Sequence, residues 1–577
     1  MDGFTSANMW LTLVFTIASI HLTNALPTAD LTHPIAHIRN GSYYGTHNTH
    51  FNQDFFLGVP FAQPPVKDLR LRPPMSLNNT WTGLKNATEY GYACIGYGED
   101  TEIGGGDYVS EDCLSLNIVR PAGYEHEELP VAVWIYGGGW FEGTALDPRY
   151  NSTFIVEQSV LINKPIIAVS INYRVSGWGW LYSKEIVEAG VANLGLRDQR
   201  LALHWLQENI GAFGGDKKKV TIWGENAGAG SVGRQLLAYN GRDDGLFSGA
   251  ISESGPTAGF GLIDPIPEIS EVLYQNLTEA LGCSDSADKL DCLRKVPTDA
   301  FNNYLNSSGK TEDYYHIYYG PQIDGDIVFR NSISQIEDGD FVKVPYIMGE
   351  NTDEGTGFIP FGINTDSDFT NYFAGWGLDN TTLSEFARLY PNNAPNEVPA
   401  THPASFDETI GLQFKRAATL MTDALFTAPK RLASEAWVKN TNASLYSYRF
   451  NTIPNGVPDY FAVTHYVEVA FVFHNVKGQG FPGLEPPYFG EDPFKNEPAS
   501  YVELADEMSR RWVSFVHDGT PDYEGCTGPK WPKYTLDSPK NIVFDANVTT
   551  SVEPDIYRKE TVDYFIGKFK AAMSFTL

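Results

Sequence analysis

The chain is expected to fold as an α/β protein around a large, mostly parallel sheet covered by helices on both faces. Short apolar runs bounded by turn residues recur at 131–136, 166–172, 220–223, 249–252 and 344–348, and each reads as a buried strand. Between them lie helical patterns such as 198–210, where Leu201, Leu203, Trp205 and Leu206 supply an apolar face. Strands alternating with helices need crossover connections, which make the strands parallel and lay the helices over the sheet. At 577 residues, 42% hydrophobic and 19% charged, the chain can bury the core such a sheet requires. No repeat, low-complexity linker or shift in composition divides it. Residues 26–577 are therefore read as one domain with long loop insertions.

The first 25 residues read differently. An apolar run at 10–20 is too short to span a bilayer and is followed by Thr23, Asn24 and Ala25, which look like a small-residue cleavage site. Residues 1–25 are expected to be a secretory signal peptide, although Asp2 and the lack of Lys or Arg depart from the usual positive start. No later stretch has the length and apolarity of a transmembrane helix, and the C-terminal residues carry no lipid-anchor signal. Secretion agrees with nine Asn-x-Ser/Thr acceptors, at Asn40, Asn78, Asn86, Asn151, Asn276, Asn306, Asn380, Asn442 and Asn547. It also agrees with five cysteines if four pair locally, Cys94 with Cys113 and Cys283 with Cys292, leaving Cys526 over.

Charge narrows the partners. Lys and Arg number 41 against 71 Asp and Glu, a net charge of −30 that repels phosphate backbones and anionic lipid. Nucleic acid is excluded as a partner, and tolerance of mildly acid surroundings is expected because self-repulsion falls as carboxylates protonate. There is no CxxC, HExxH or tight His cluster, so neither a metal nor another cofactor is expected.

The chemistry concentrates at 220–228, V-T-I-W-G-E-N-A-G, an apolar strand running into a glycine-flanked turn and then a helix-compatible stretch at 229–239. Small residues around such a turn permit a strained backbone that lifts one side chain above the sheet at the head of a helix. The lifted residue of this nucleophile elbow is normally Ser, and here it is Asn226.

The segment leading to that elbow, 190–216, resembles the corresponding segment of the type-B carboxylesterase family, which includes the cholinesterases. Residues 58–74, with G-V-P-F-A-Q-P-P and L-R-L-R-P-P, residues 111–117, E-D-C-L-S-L-N, and W-I-Y-G-G-G-W at 134–140 are similar to its other signatures. The resemblance covers nearly the whole mature chain and suits a secreted member of the fungal type. It implies the α/β-hydrolase fold, the two local disulfides and carboxylic ester chemistry on a small-molecule ester or apolar metabolite. It also implies that Gly138, Gly139 and Ala227 donate backbone N–H groups to an oxyanion hole, Glu354 is the triad acid and His465 the general base. Glu225 and Glu468 match buried acids beside the family's catalytic centre. Asp353 and Glu350 are expected to be structural, and His474 is a reserve base without motif support.

Asn226 breaks the pattern. A carboxamide nitrogen has a delocalised lone pair and cannot replace the serine oxygen, and losing that serine costs a serine hydrolase about a millionfold, or about 8 kcal/mol. Ser231, five residues on and inside the helix, is more than a turn away and does not substitute. Four readings stay open: cyclisation or elimination of a small natural product using His465 and the oxyanion donors, a non-catalytic ligand-binding pseudoenzyme, a disarmed ordinary esterase, and deamidation of Asn226 to a carboxylate nucleophile. Ala227 rather than Gly at the next position slows the spontaneous form of the last. The loop from Cys94 to Cys113 holds Tyr97 and Tyr108 but no Trp, so the cation-binding indole of cholinesterases is missing and choline esters are not expected.

Overall fold

The computed structural model describes residues 33–255, 257–259, 267–308, 319–376, 378–392, 406–483 and 490–573. The expected signal peptide lies outside them. Eleven strands form the main sheet: β1 (Thr46–Asn48), β2 (Gln53–Pro60), β3 (Ser115–Pro121), β4 (Leu129–Ile135), β5 (Ile167–Ile171), β6 (Gly215–Glu225), β7 (Gly249–Glu253), β8 (Tyr346–Asn351), β9 (Leu445–Phe450), β10 (Lys540–Phe544) and β11 (Ser551–Pro554). Their spatial order is β1-β2-β3-β5-β4-β6-β7-β8-β9-β10-β11. Pairing is parallel from β5 through β10 and antiparallel at both margins. This is the α/β-hydrolase arrangement, a large mixed sheet with a parallel centre.

Each of the five runs expected to be strands lies on one of β4 to β8, with boundaries shifted by a few residues. The helix expected at 198–210 is α1 (Leu194–Asn209), and the one expected at 229–239 is α2 (Ala227–Gly241), which leaves helical geometry at Ala238, Tyr239 and Asn240. Residues adjacent on a strand face opposite sides of the sheet. Ser252 bonds to Ala229 O of α2, whereas the next residue, Glu253, accepts from Trp512 of the helix α3 (Ala499–Asp518). Helices α2 and α3 therefore cover opposite faces, and Trp134, Trp223 and Phe473 pack together on the α3 side.

The chain leaves β4 for β5 on one side, yet β6 lies on the other side of β4. The carboxyl ends of β4 and β6 thus flank a topological switch point, the place where open α/β sheets leave a crevice for ligands. Cys94–Cys113 and Cys283–Cys292 are disulfides, and Cys526 is a free, half-exposed thiol. Of the nine glycosylation acceptors, Asn40 and Asn151 are half-buried and the others exposed. Among the described residues no helix is long and apolar enough to cross a membrane.

Candidate active site

Asn226, Gly139, Glu354 and His465 come together beyond the carboxyl ends of β4, β6 and β8. Strand β6 ends at Glu225, and Asn226 follows with φ 53° and ψ −121°, a conformation that costs about 1–3 kcal/mol and persists only where its surroundings impose it. Those surroundings are close-packed backbone: a Cβ on Gly228 would lie 1.9 Å from Ile135 O, so only glycine lets α2 start against β4. Asn226 N–H donates to Glu253 O at 3.0 Å and Asn226 O accepts from Gly230 N–H at 2.8 Å, which pins the turn from both sides. After β4 the chain turns through Gly138 and Gly139, with φ 83° and 57°. Gly139 N–H then points at residue 226.

The carboxamide of Asn226 spans two groups. Its Oδ1 accepts from Gly139 N–H at 3.1 Å and its Nδ2 lies 2.7 Å from His465 Nε2. A backbone N–H can only donate, so oxygen must face Gly139 and nitrogen must face the imidazole. Nε2 is then the acceptor, and the ring proton sits on Nδ1, 2.5 Å from Glu354 Oε2. The other oxygen of Glu354 accepts from Asn351 N–H and from Ser254 Oγ, both at 2.6 Å. Glu354 is fully buried, and the His465 ring packs between Phe358 and Phe426 at centroid distances of 5.1 and 5.2 Å. The imidazole is thereby held in one tautomer and one orientation.

Glu468 lies behind this pair, accepting from Asn351 Nδ2 at 2.6 Å, with the Ser254 hydroxyl oxygen 3.2 Å away. Burial first, and then the Glu354 carboxylate, push Glu468 up to about 7. Glu225 Oε1 is 3.2 Å from His465 Nε2. Burial, followed by the charges of Glu468 and Glu354, raises its carboxyl well above the ordinary range. Burial thus disfavours the charged form of both acids around the His465–Glu354 pair.

The remaining expected residues have other places. Asp353 is tied to Val463, accepting from its N–H at 3.2 Å, and Glu350 pairs with Lys430 at 2.9 Å. Ser231 is buried, its Oγ accepting from Trp140 Nε1 and Gln199 Nε2, each at 3.0 Å. His474 bonds to Asp506 on α3 at 2.8 Å, away from Asn226. Tyr97 accepts from Trp178 Nε1 at 3.0 Å and donates to Asn302 Oδ1 at 2.7 Å, so its hydroxyl is already committed. Sequence reasoning missed Ser254 and Asn351, the donors that solvate Glu354 and Glu468. Their only trace is position, each lying at a strand's carboxyl end, Ser254 just beyond β7 and Asn351 closing β8.

Residues 32–565 match the carboxylesterase family. The chain is 37% identical over 441 residues to the protein named secreted lipase 1 of Botryotinia fuckeliana, covering 71% of this chain and 74% of that one. It is 31% identical to lipase 1 of Geotrichum candidum, covering 89% and 92%, and 32% identical to the fumonisin B1 esterase of Sphingopyxis macrogoltabida, covering 87% and 84%. The crystal structure of Aspergillus niger EstA superposes with a TM-score of 0.79 at 27% identity, over 94% of this chain and 99% of that one.

Proposed function

Because the chain belongs to the carboxylesterase family, whose members are carboxylic ester hydrolases, we propose that it is a secreted, single-domain member whose site binds small carboxylic esters but has lost the covalent serine route. One observation carries this reading: the 2.7 Å contact from His465 Nε2 meets a carboxamide nitrogen and not a hydroxyl. Everything around that contact suits acyl transfer. Gly139 N–H is aimed where an oxyanion forms, Gly138 and Ala227 would complete the donor set, and Glu354 would stabilise an imidazolium. The missing part is an oxygen that His465 can deprotonate. Asn226 Oδ1 also occupies the Gly139 donor, so an ester carbonyl must displace it to bind.

Secretion is supported by the signal-like N-terminus, the two disulfides and the name of the Botryotinia relative. A second reading, proton transfer on a bound ester or ketone leading to cyclisation or elimination, is favoured by the complete His465–Glu354 pair, which needs no nucleophile to act as acid or base. The test is hydrolysis of short p-nitrophenyl esters by the native chain and by Asn226→Ser. Turnover near background in the native chain, rising at least ~10⁴-fold in the variant, is expected. Strong turnover by the native chain, or covalent labelling of residue 226 by a fluorophosphonate, overturns the proposal.

A further inference from the structure

We propose that the site hydrolyses residue 226 itself: the Asn226 carboxamide is held as a substrate and is converted to a carboxylate with release of ammonia. This rests on the reading of His465 as acid–base and of Gly139 N–H as an oxyanion donor. Amide hydrolysis needs a carbonyl oxygen against a fixed donor, a leaving nitrogen against a group that can protonate it, and a water at the carbonyl carbon. The first two are already built, with Oδ1 3.1 Å from Gly139 N and Nδ2 2.7 Å from His465 Nε2. For the third, Glu225 Oε1 is buried, has no hydrogen-bond partner among the described residues and lies 3.2 Å from Nε2, so it is an acceptor available to orient a water beside the carboxamide. The backbone at 226, pinned by its bonds to Glu253 O and from Gly230 N–H, presets the amide against both groups before a water arrives.

The step balances with water as the only co-reactant. Water oxygen bonds to Cγ while one water proton passes to Nε2, and the carbonyl π pair moves onto Oδ1 opposite Gly139 N–H. The imidazolium, stabilised by Glu354, then gives its proton to Nδ2. The C–N bond breaks with its electron pair on nitrogen, the C=O bond re-forms, and the new carboxylic acid surrenders its proton to the departing ammonia. The competing spontaneous route closes an imide on Ala227 N, and it differs in yielding isoaspartate as well as aspartate.

The experiment is peptide mass spectrometry across residue 226 on freshly purified and incubated native protein, with His465→Gln in parallel and isoaspartate scored separately. The expected result is a time-dependent gain of about one dalton at 226 as aspartate alone, slowed at least ~100-fold in His465→Gln. If that variant does not fold, incubation of the native chain in heavy-oxygen water still decides, because one heavy oxygen at 226 without isoaspartate is required. An unchanged Asn226 after incubation, or a mixture of aspartate and isoaspartate, overturns the inference. If Asn226→Ser hydrolyses esters while the native peptide keeps its amide, the inference fails and the reading under Proposed function stands. If neither occurs, both fail.

Discussion

Of the histidine–carboxylate pairs among the described residues, His465–Glu354 and His474–Asp506 make the instructive comparison, because the first has the surroundings of a reaction centre and the second does not. His465–Glu354 and His474–Asp506 are closed at 2.5 and 2.8 Å. The glutamate of the first is solvated by buried donors, and its imidazole faces a strained residue and an oxyanion-type N–H. The aspartate of the second is shared with Arg510 at 3.2 Å, and Gln158 lies 3.4 Å from its imidazole. The pair alone is therefore not a signature of catalysis. What differs is whether the imidazole's far nitrogen is aimed at a place where bonds can change.

The sharpest way to break this comparison is to restore the nucleophile and remove each acid in turn. In an Asn226→Ser background, Glu354→Gln is expected to lower kcat for p-nitrophenyl esters by about 10⁴-fold, because an amide partner favours the wrong tautomer of His465. Asp506→Asn in the same background is expected to change kcat by less than about twofold, since its histidine touches no reacting atom. Equal losses in the two variants would show that the pairs act through overall stability and not through position.

The sequence made the first pair readable and left its setting obscure. Strands β4 to β8 announce themselves as apolar runs, and the elbow is visible because its glycines are demanded by backbone contact, as at Gly228. Strands β2 and β3 do not, because they bury polar side chains whose partners are distant in sequence. Arg120 pairs with Asp54 at 2.9 Å, and Asn117 accepts from Gly58 N–H at 2.9 Å. The same reason hides Ser254 and Asn351. A buried polar residue looks like a loop residue until the fold brings it a partner. The position of His465 was legible only through flanking resemblance, since a single histidine has no pattern of its own.

The two neighbourhoods are also expected to move stability in opposite directions with pH. Glu468 has a folded pKa of about 7 against an unfolded value of about 4.3, so the folded state binds the extra proton between these limits. Its contribution is fully present below about pH 4.3 and is lost as pH rises through about 7, at up to about 1.4 kcal/mol per pH unit and about 4 kcal/mol in all. Urea unfolding of native protein and Glu468→Gln between these pH values is expected to show the native chain losing stability faster. Parallel pH profiles would remove Glu468 as the cause.

Asp506 behaves in the reverse sense and by less. Burial alone would raise its carboxyl, but the hydrogen bond from His474 and the charges of Arg510 and His474 hold it below the ordinary value. A lowered carboxylate adds stability above its unfolded pKa and loses it as pH falls through the folded one, so this contribution fades only in acid, where that of Glu468 is complete. With its side chain a third exposed, Asp506→Asn is expected to cost about 1 kcal/mol at neutral pH, the size of one hydrogen bond, and nothing at low pH. Thermal unfolding at both pH values measures this. A cost that persists in acid would mean that Asp506 matters through the packing of α3 and not through its charge, and the contrast between the two pairs would then rest on catalysis alone.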